Sequence, residues 1–220
     1  MPSPAPPESP PTPGRDCPLC PRLADFRAAN RAALPDHHNA PVPSFGDATA
    51  RLLVVGLAPG LHGANRTGRP FTGDYAGDLL YATLLKFGFA EGDYDRRPED
   101  GLALVGCRIT NAARCVPPEN KPTPAEVATC RRFLIAELAA MPNLSAIVAL
   151  GAIAHASVVS ALGGKPSRAP FSHGARHGLT PGVTLFDSYH CSRYNTNTGR
   201  LTPAMFEAVF AAVRRHLDGG

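Results

Sequence analysis

The chain has no tryptophan, three methionines and only three lysines, Lys86, Lys121 and Lys165, so arginine carries almost all of its positive charge. No apolar run approaches the roughly 18 residues that a membrane-spanning helix needs. The opening MPSPAPPESPPTPGRD has neither the basic start nor the apolar core of an export signal. A protein of the cytosol, with no membrane partner, is the expectation; in a bacterium that compartment includes the nucleoid. Charge of either sign is sparse, at 18% of residues with a formal net of +4, and so mild an excess excludes no class of partner. Arginine suits bidentate phosphate contacts, but GC-rich coding produces the same bias.

Six cysteines stand in the chain. In a cytosolic setting they argue against a disulfide framework and toward metal binding or buried thiols. Cys17 and Cys20 form CPLC, and Cys115 and Cys130 bracket CVPPENKPTPAEVATC. Four thiols suit either an iron–sulfur cluster or a tetrahedral zinc, because spacing does not choose the metal. Cys107 lies in an apolar run and is expected in the core, whereas Cys191 sits in a polar segment beside His190.

A length of 220 residues suits one domain with a substantial core. Residues 1–14 are proline-rich and read as a disordered tail, leaving 15–220 as the folded domain. Four short apolar runs, at 51–57, 102–110, 146–151 and 183–190, read as buried strands. Helical patterns begin at CPLCPRLADFRAANRAAL and recur in GDLLYATLLKFGF, PAEVATCRRFLIAELAAM, AIAHASVVSALG and TPAMFEAVFAAVRRHL. Strands alternating with helices predict a three-layer α/β/α fold around a central four-stranded, mainly parallel sheet. Ligands of such sheets bind at the carboxyl ends of the strands. GLAPG, TNAARC, LGAIAH and HCSRYNTNTGR all fall there.

The first of these opens the glycine-rich stretch 56–75, GLAPGLHGANRTGRPFTGDY. It follows a strand as a phosphate loop does, yet lacks the Gly-Lys-Ser/Thr ending and the GxGxxG spacing. That removes the nucleotide-hydrolase reading. GLAPGLHGANRTGRPFTGD, the CPLC…C…C set, PPENKPTP and HCSRYNTNTGRLT, in this order, resemble the family 5 uracil-DNA glycosylases (UDGb) over residues 16–217. The resemblance implies a single catalytic domain over 15–220, monomeric, that flips uracil from DNA and cleaves its glycosidic bond. It extends the substrates to other deaminated bases, such as hypoxanthine and xanthine.

On that resemblance Gly56, Leu57 and Ala58 bring backbone close to the flipped base, and Phe71 stacks on it. Asp74 orients water toward the sugar, which acquires oxocarbenium character. As a residue type Asp74 also suits the cap of a following helix, and both duties are compatible. His190 is implied as a donor to uracil O2, and Asn120 of PPENKP as a member of the active site. Asn111 departs from the small apolar residue expected there. Its amide can accept from uracil N3–H and donate to O4, a pattern cytosine does not offer. It can equally be a polar strand end. Ser192, Arg193, Tyr194, Asn195 and Arg200 are expected to meet DNA, Tyr194 as a wedge in the gap and the arginines on phosphates. Cys17, Cys20, Cys115 and Cys130 are implied to hold a [4Fe–4S] cluster. His173 and His177 read as surface loop residues. The competing functions are a protein that holds flipped uracil without hydrolysis, for which Asp74 is dispensable, and a zinc-structured nucleic-acid module.

Overall fold

A computed structural model describes residues 11–219; residues 1–10 of the expected tail lie outside the described residues. The helices are α1 (Pro21–Ala33), α2 (Ala64–Thr67), α3 (Tyr75–Lys86), α4 (Pro124–Ala139), α5 (Ala152–Ala161), α6 (Arg193–Asn197) and α7 (Pro203–Leu217). The strands are β1 (Leu52–Gly56), β2 (Ala90–Glu91), β3 (Ala103–Leu104), β4 (Cys107–Asn111), β5 (Ala146–Leu150), β6 (Arg176–Thr180) and β7 (Val183–Ser188). The main sheet runs β4-β1-β5-β7-β6. Its first four strands are mutually parallel, and β6 pairs antiparallel with β7.

Two expectations are corrected here. The sheet has five strands rather than four, because RHGLT of β6 forms a hairpin with β7 and keeps one side in solvent. It therefore lacks the unbroken apolar run that marks the inner strands. The run at 102–110 is also not one strand. It breaks at Gly106, whose φ of 57° favours glycine, leaving β3 to pair with β2 in a separate ribbon.

The inner strands are apolar on both sides because both faces are covered. Leu52, Val54, Ile109 and Val148 pack toward α3 and α7, with Leu80, Leu84, Phe206 and Phe210. Leu53, Val55, Ile147 and Ala149 pack on the opposite face, with Leu134 of α4 and Val158 of α5. The edge of β4 is closed by the preceding loop, where Phe45 and Ile109 exchange backbone hydrogen bonds of 2.9 and 2.8 Å. The chain leaves β1 toward β4 and leaves β5 toward β7, so the connections diverge between β1 and β5. A crevice opens outside the carboxyl ends at such a point.

Candidate active site at the carboxyl ends of the sheet

Gly56 and Asn111 end β1 and β4 in register. A methyl group on Gly56 would collide with Asn111 Oδ1 and with the Phe71 ring, so only glycine lets these two groups meet at the end of β1. Asn111 is buried, and its Oδ1 has no hydrogen-bond partner. A buried acceptor left unpaired costs about 1–3 kcal/mol. Such an atom is tolerated where a ligand completes it.

Phe71 is held in a left-handed backbone conformation, φ 55°, rare for a bulky side chain. The surroundings that impose it are specific. Its carbonyl accepts from Tyr94 Oη at 3.1 Å, and Gly77 packs so near that a Cβ there would strike the Phe71 oxygen. On the same loop Arg69 forms a bidentate pair with Asp100 at 2.8 and 2.7 Å and donates to Thr72 Oγ1 at 2.7 Å. Its guanidinium also lies over the Phe45 and Tyr81 rings. Burial pushes the Asp100 carboxyl up, but Arg69 and the N–H groups of Asp95 and Leu102 hold it well below the usual carboxylate range. This clamp was not legible in the sequence, because Asp100 lies 31 positions from Arg69.

Asp74 serves as N-cap of α3. Its Oδ1 accepts from Gly77 N at 3.2 Å. Its Oδ2 lies close to Gly60 and against Gly63, where a side chain would collide with the carboxyl group. Burial raises the Asp74 pKa against the opposing pull of the Gly77 and Ala76 backbone N–H groups. The carboxyl group borders a cleft with Gly63, Tyr75, Asn120 and Arg193, and an adjoining hollow walled by Leu57, Ala58, His190 and Ser192. Asn120 reaches this cleft from an exposed turn in which Glu119 and Asn120 are both left-handed, φ 54° and 57°.

His190 follows β7 by two residues. Its ring stacks on Phe71 with centroids 6.0 Å apart and planes at 28°. Burial lowers its pKa to about 4, so the ring is neutral at physiological pH. Its carbonyl accepts from Asn195 Nδ2 at 2.8 Å. The structure thus brings Gly56, Leu57, Ala58, Phe71, Asp74, Asn111, Asn120 and His190 to one crevice. Asn195 is turned inward by that bond, and Ser192 caps α6, a short helix inside the segment read as a loop. Tyr194 projects from α6 and is 71% exposed. Arg193 lies over the Tyr75 ring and Arg200 over the Tyr189 ring.

Residues 43–214 match the Uracil DNA glycosylase superfamily. The chain is 47% identical to the type-5 uracil-DNA glycosylase of Thermus thermophilus, across 90% of this chain and 93% of the relative. It is 45% identical to that of Mycobacterium leprae, across 90% of each, and 41% identical to that of Pyrobaculum aerophilum, across 85% and 83%. The chain belongs to the type-5 branch of this superfamily.

In this superfamily member the four expected ligand cysteines converge as well. Cys17, Cys20, Cys115 and Cys130 line one hollow between α1, the segment after β4 and α4, and none is in a disulfide. Two donors point at the sulfurs: Arg114 N–H to Cys130 Sγ at 3.3 Å and Arg27 Nη1 to Cys115 Sγ at 3.6 Å. Burial pushes the Cys115 thiol up to about 12 and raises Cys20 and Cys130. These sulfurs therefore need a bound cation to ionise. Among the described residues no three of the four sulfurs lie within 4.8 Å of one another. Ligands of a tetrahedral zinc sit about 3.8 Å apart. The donor set and its spread fit a cluster better than a single zinc ion. Cys107 and Cys191 are both fully buried, and Cys191 Sγ lies 3.4 Å from the Ala76 carbonyl.

One histidine expectation fails. His177 is not a loop residue: it lies on β6, half-buried, with Nε2 2.9 Å from Asp187 Oδ2. His173 is in a connection, but its Nδ1 accepts from Tyr189 N at 3.1 Å rather than facing solvent alone. Sequence reasoning also passed over Tyr75, Gly60 and Gly63. The motif FTGDY places Tyr75 beside Asp74 and was the available signal.

Proposed function

We propose that the protein excises uracil from DNA by hydrolysis of the N-glycosidic bond, as the first step of base-excision repair. The observation that carries this reading is the Asp74 carboxyl group bordering the same hollow as the neutral His190 ring, with Phe71 packed on His190 and Asn111 and Gly56 beside Phe71.

A base inside a duplex has to leave the stack before its glycosidic bond can be reached. The flipped uracil lies on the Phe71 ring. His190, whose ring centroid is 6.0 Å from that of Phe71, meets the O2 edge of the base rather than its face. Asn111 Oδ1 accepts from N3–H, which satisfies its unpaired oxygen, and the amide N–H donates to O4. As the C1′–N1 bond breaks, its electron pair passes to the base, and negative charge grows on O2. The neutral His190 donates there. Asp74 favours the cationic sugar and accepts a proton from the water that adds to C1′. Asn120 closes the mouth of the crevice.

Asn111 narrows the range toward uracil, at the expense of hypoxanthine and xanthine, because a buried amide penalises bases that mismatch its donor and acceptor. The four cysteines hold a [4Fe–4S] cluster that joins α1 to the 115–123 segment carrying Asn120; when bound it supplies the positive charge that keeps the thiols ionised. Arg193, Arg200 and Tyr194 face the DNA.

The test is a uracil-containing duplex incubated with protein and then alkali. Strand scission after alkali reports an abasic site. Protein that binds the duplex without creating alkali-labile sites, and binds equally well as Asp74→Ala, would establish the lesion-holding function instead.

A further inference from the structure

A second cluster of titratable groups lies outside the crevice and has no part in the chemistry above. His155 of α5 is buried, with Nδ1 2.7 Å from Asp187 Oδ1 of β7 and Nε2 2.7 Å from the Ala169 carbonyl. His177 of β6 approaches Asp187 Oδ2 at 2.9 Å, and Ser172 N–H donates to the same oxygen at 3.3 Å. The titratable groups facing His155 are thus Asp187 from β7 and His177 from β6, whose ring centroid lies 5.2 Å away.

Counting donors assigns the protons. A carbonyl oxygen only accepts, so Nε2 of His155 carries a hydrogen. Asp187 faces nitrogens at both oxygens, the Ser172 amide and His177 Nε2 on Oδ2 and His155 Nδ1 on Oδ1, the arrangement of a carboxylate that accepts at each. Nδ1 of His155 then also carries a hydrogen, which no neutral tautomer allows. His177 needs only one N–H for its bond to Asp187. A shared metal ion is the other use of two histidines and an aspartate. Yet 2.7 and 2.9 Å are hydrogen-bond separations, shorter than the about 3.3 Å between nitrogen and oxygen ligands of a tetrahedral zinc.

The pair holds the 169–175 connection, and that connection packs against Tyr189. Phe171 packs against His155 on one side and Tyr189 on the other, with centroids at 5.7 and 6.1 Å. His173 stacks on Tyr189 at 5.0 Å and accepts its backbone N–H. Tyr189 immediately precedes His190, and Arg200 rests on its ring at 4.6 Å.

We propose that His155 is a doubly protonated imidazolium paired with Asp187, and that the pair is a positioning device. By holding the 169–175 connection against Tyr189, it sets where His190 stands relative to O2 of the base. This inference rests on the role given to His190 above.

Side-chain ¹H–¹⁵N spectra of the wild-type protein at neutral pH test the first half. Two protonated ring nitrogens are expected for His155, identified by the signals that vanish in His155→Gln. One protonated and one bare nitrogen would overturn the proposal; should His155→Gln not fold, the ring is assigned instead by its proximity to Phe171. For the second half, His155→Gln and Asp187→Asn are compared with wild type, well below their melting temperatures. The expected result is a kcat loss on the order of 10- to 100-fold with KM unchanged, the signature of a misplaced group. Folded variants with wild-type kcat would refute the positioning role. Absence of excision by the wild type would count against the proposed function and leave the His155 spectrum to be read independently.

Discussion

Asp74 divides its duties between its two oxygens: Oδ1 starts α3, while Oδ2 is left beside Gly60 and Gly63. The two roles separate experimentally because asparagine caps a helix about as well as aspartate does. Asp74→Asn is expected to keep the wild-type melting temperature and lose on the order of 10²–10⁴-fold in kcat. Wild-type kcat in Asp74→Asn, beside an Asp74→Ala that has melted, would mean the residue is structural only. Because burial raises the Asp74 pKa, its charged form gives way at a higher pH than an exposed aspartate would, near 3.9. A rate profile should therefore fall on the acid side above that value. His190 runs in the opposite sense. Its folded pKa of about 4 lies below the unfolded value of about 6.5, so the unfolded chain binds more protons between these values. Stability present above pH about 6.5 is lost as pH falls toward about 4. Melting temperatures across that window should decline less in His190→Asn than in wild type. At the end of β1, Gly56→Ala places a methyl group against Asn111 and Phe71. Excision should be abolished while the far-ultraviolet spectrum is retained; a folded, fully active variant would show that the base lies elsewhere.

At the scale of elements, α4 shows how a local rule serves a distant site. Thr123 and Glu126 form a reciprocal capping box, with Glu126 Oε2 2.7 Å from Thr123 N and Thr123 Oγ1 3.2 Å from Glu126 N. TPAE announces this in sequence. The sequence does not announce that Arg22 of α1 also reaches Glu126, at 2.8 and 2.7 Å. One carboxylate thus starts α4 and ties it to the helix that follows CPLC. Glu126→Ala loses a cap worth about 1 kcal/mol, which corresponds to roughly 2–4 °C in a protein of this size. Iron content per chain should fall with it, measured on protein purified anaerobically; unchanged stability and iron would separate α1 from the cysteine frame. Elements were legible where period and caps agree, as in α3, α4, α5 and α7. They were not legible where tertiary contacts supply the missing energy. α2 and α6 hold four and five residues, too short to be stable alone, and β6 exists only as the partner of β7.

Over the whole molecule, the crevice, α6 with Tyr194 exposed, and the Asn120 turn open at the carboxyl edge of the sheet, with Arg193 at the mouth. Phosphate contacts release counterions, so each removed contact lowers the salt dependence of binding by about 0.9 in log–log slope. Arg193→Ala should show a reduction of about that size in titrations on duplex DNA, regardless of sequence. The sequence alone determined the class of sheet and which segments end its strands, and motif resemblance named the residues that the fold brings together there. It could do so because strand periodicity, turn composition and contiguous motifs are local properties. Only the tertiary structure decided that Asn111 Oδ1 is unpaired, that Phe71 is held left-handed by Tyr94 and Gly77, and that His155 meets Asp187. Those facts depend on atoms brought together across tens of residues, and the energy of burying a polar group is set by its neighbours in space rather than by its neighbours along the chain.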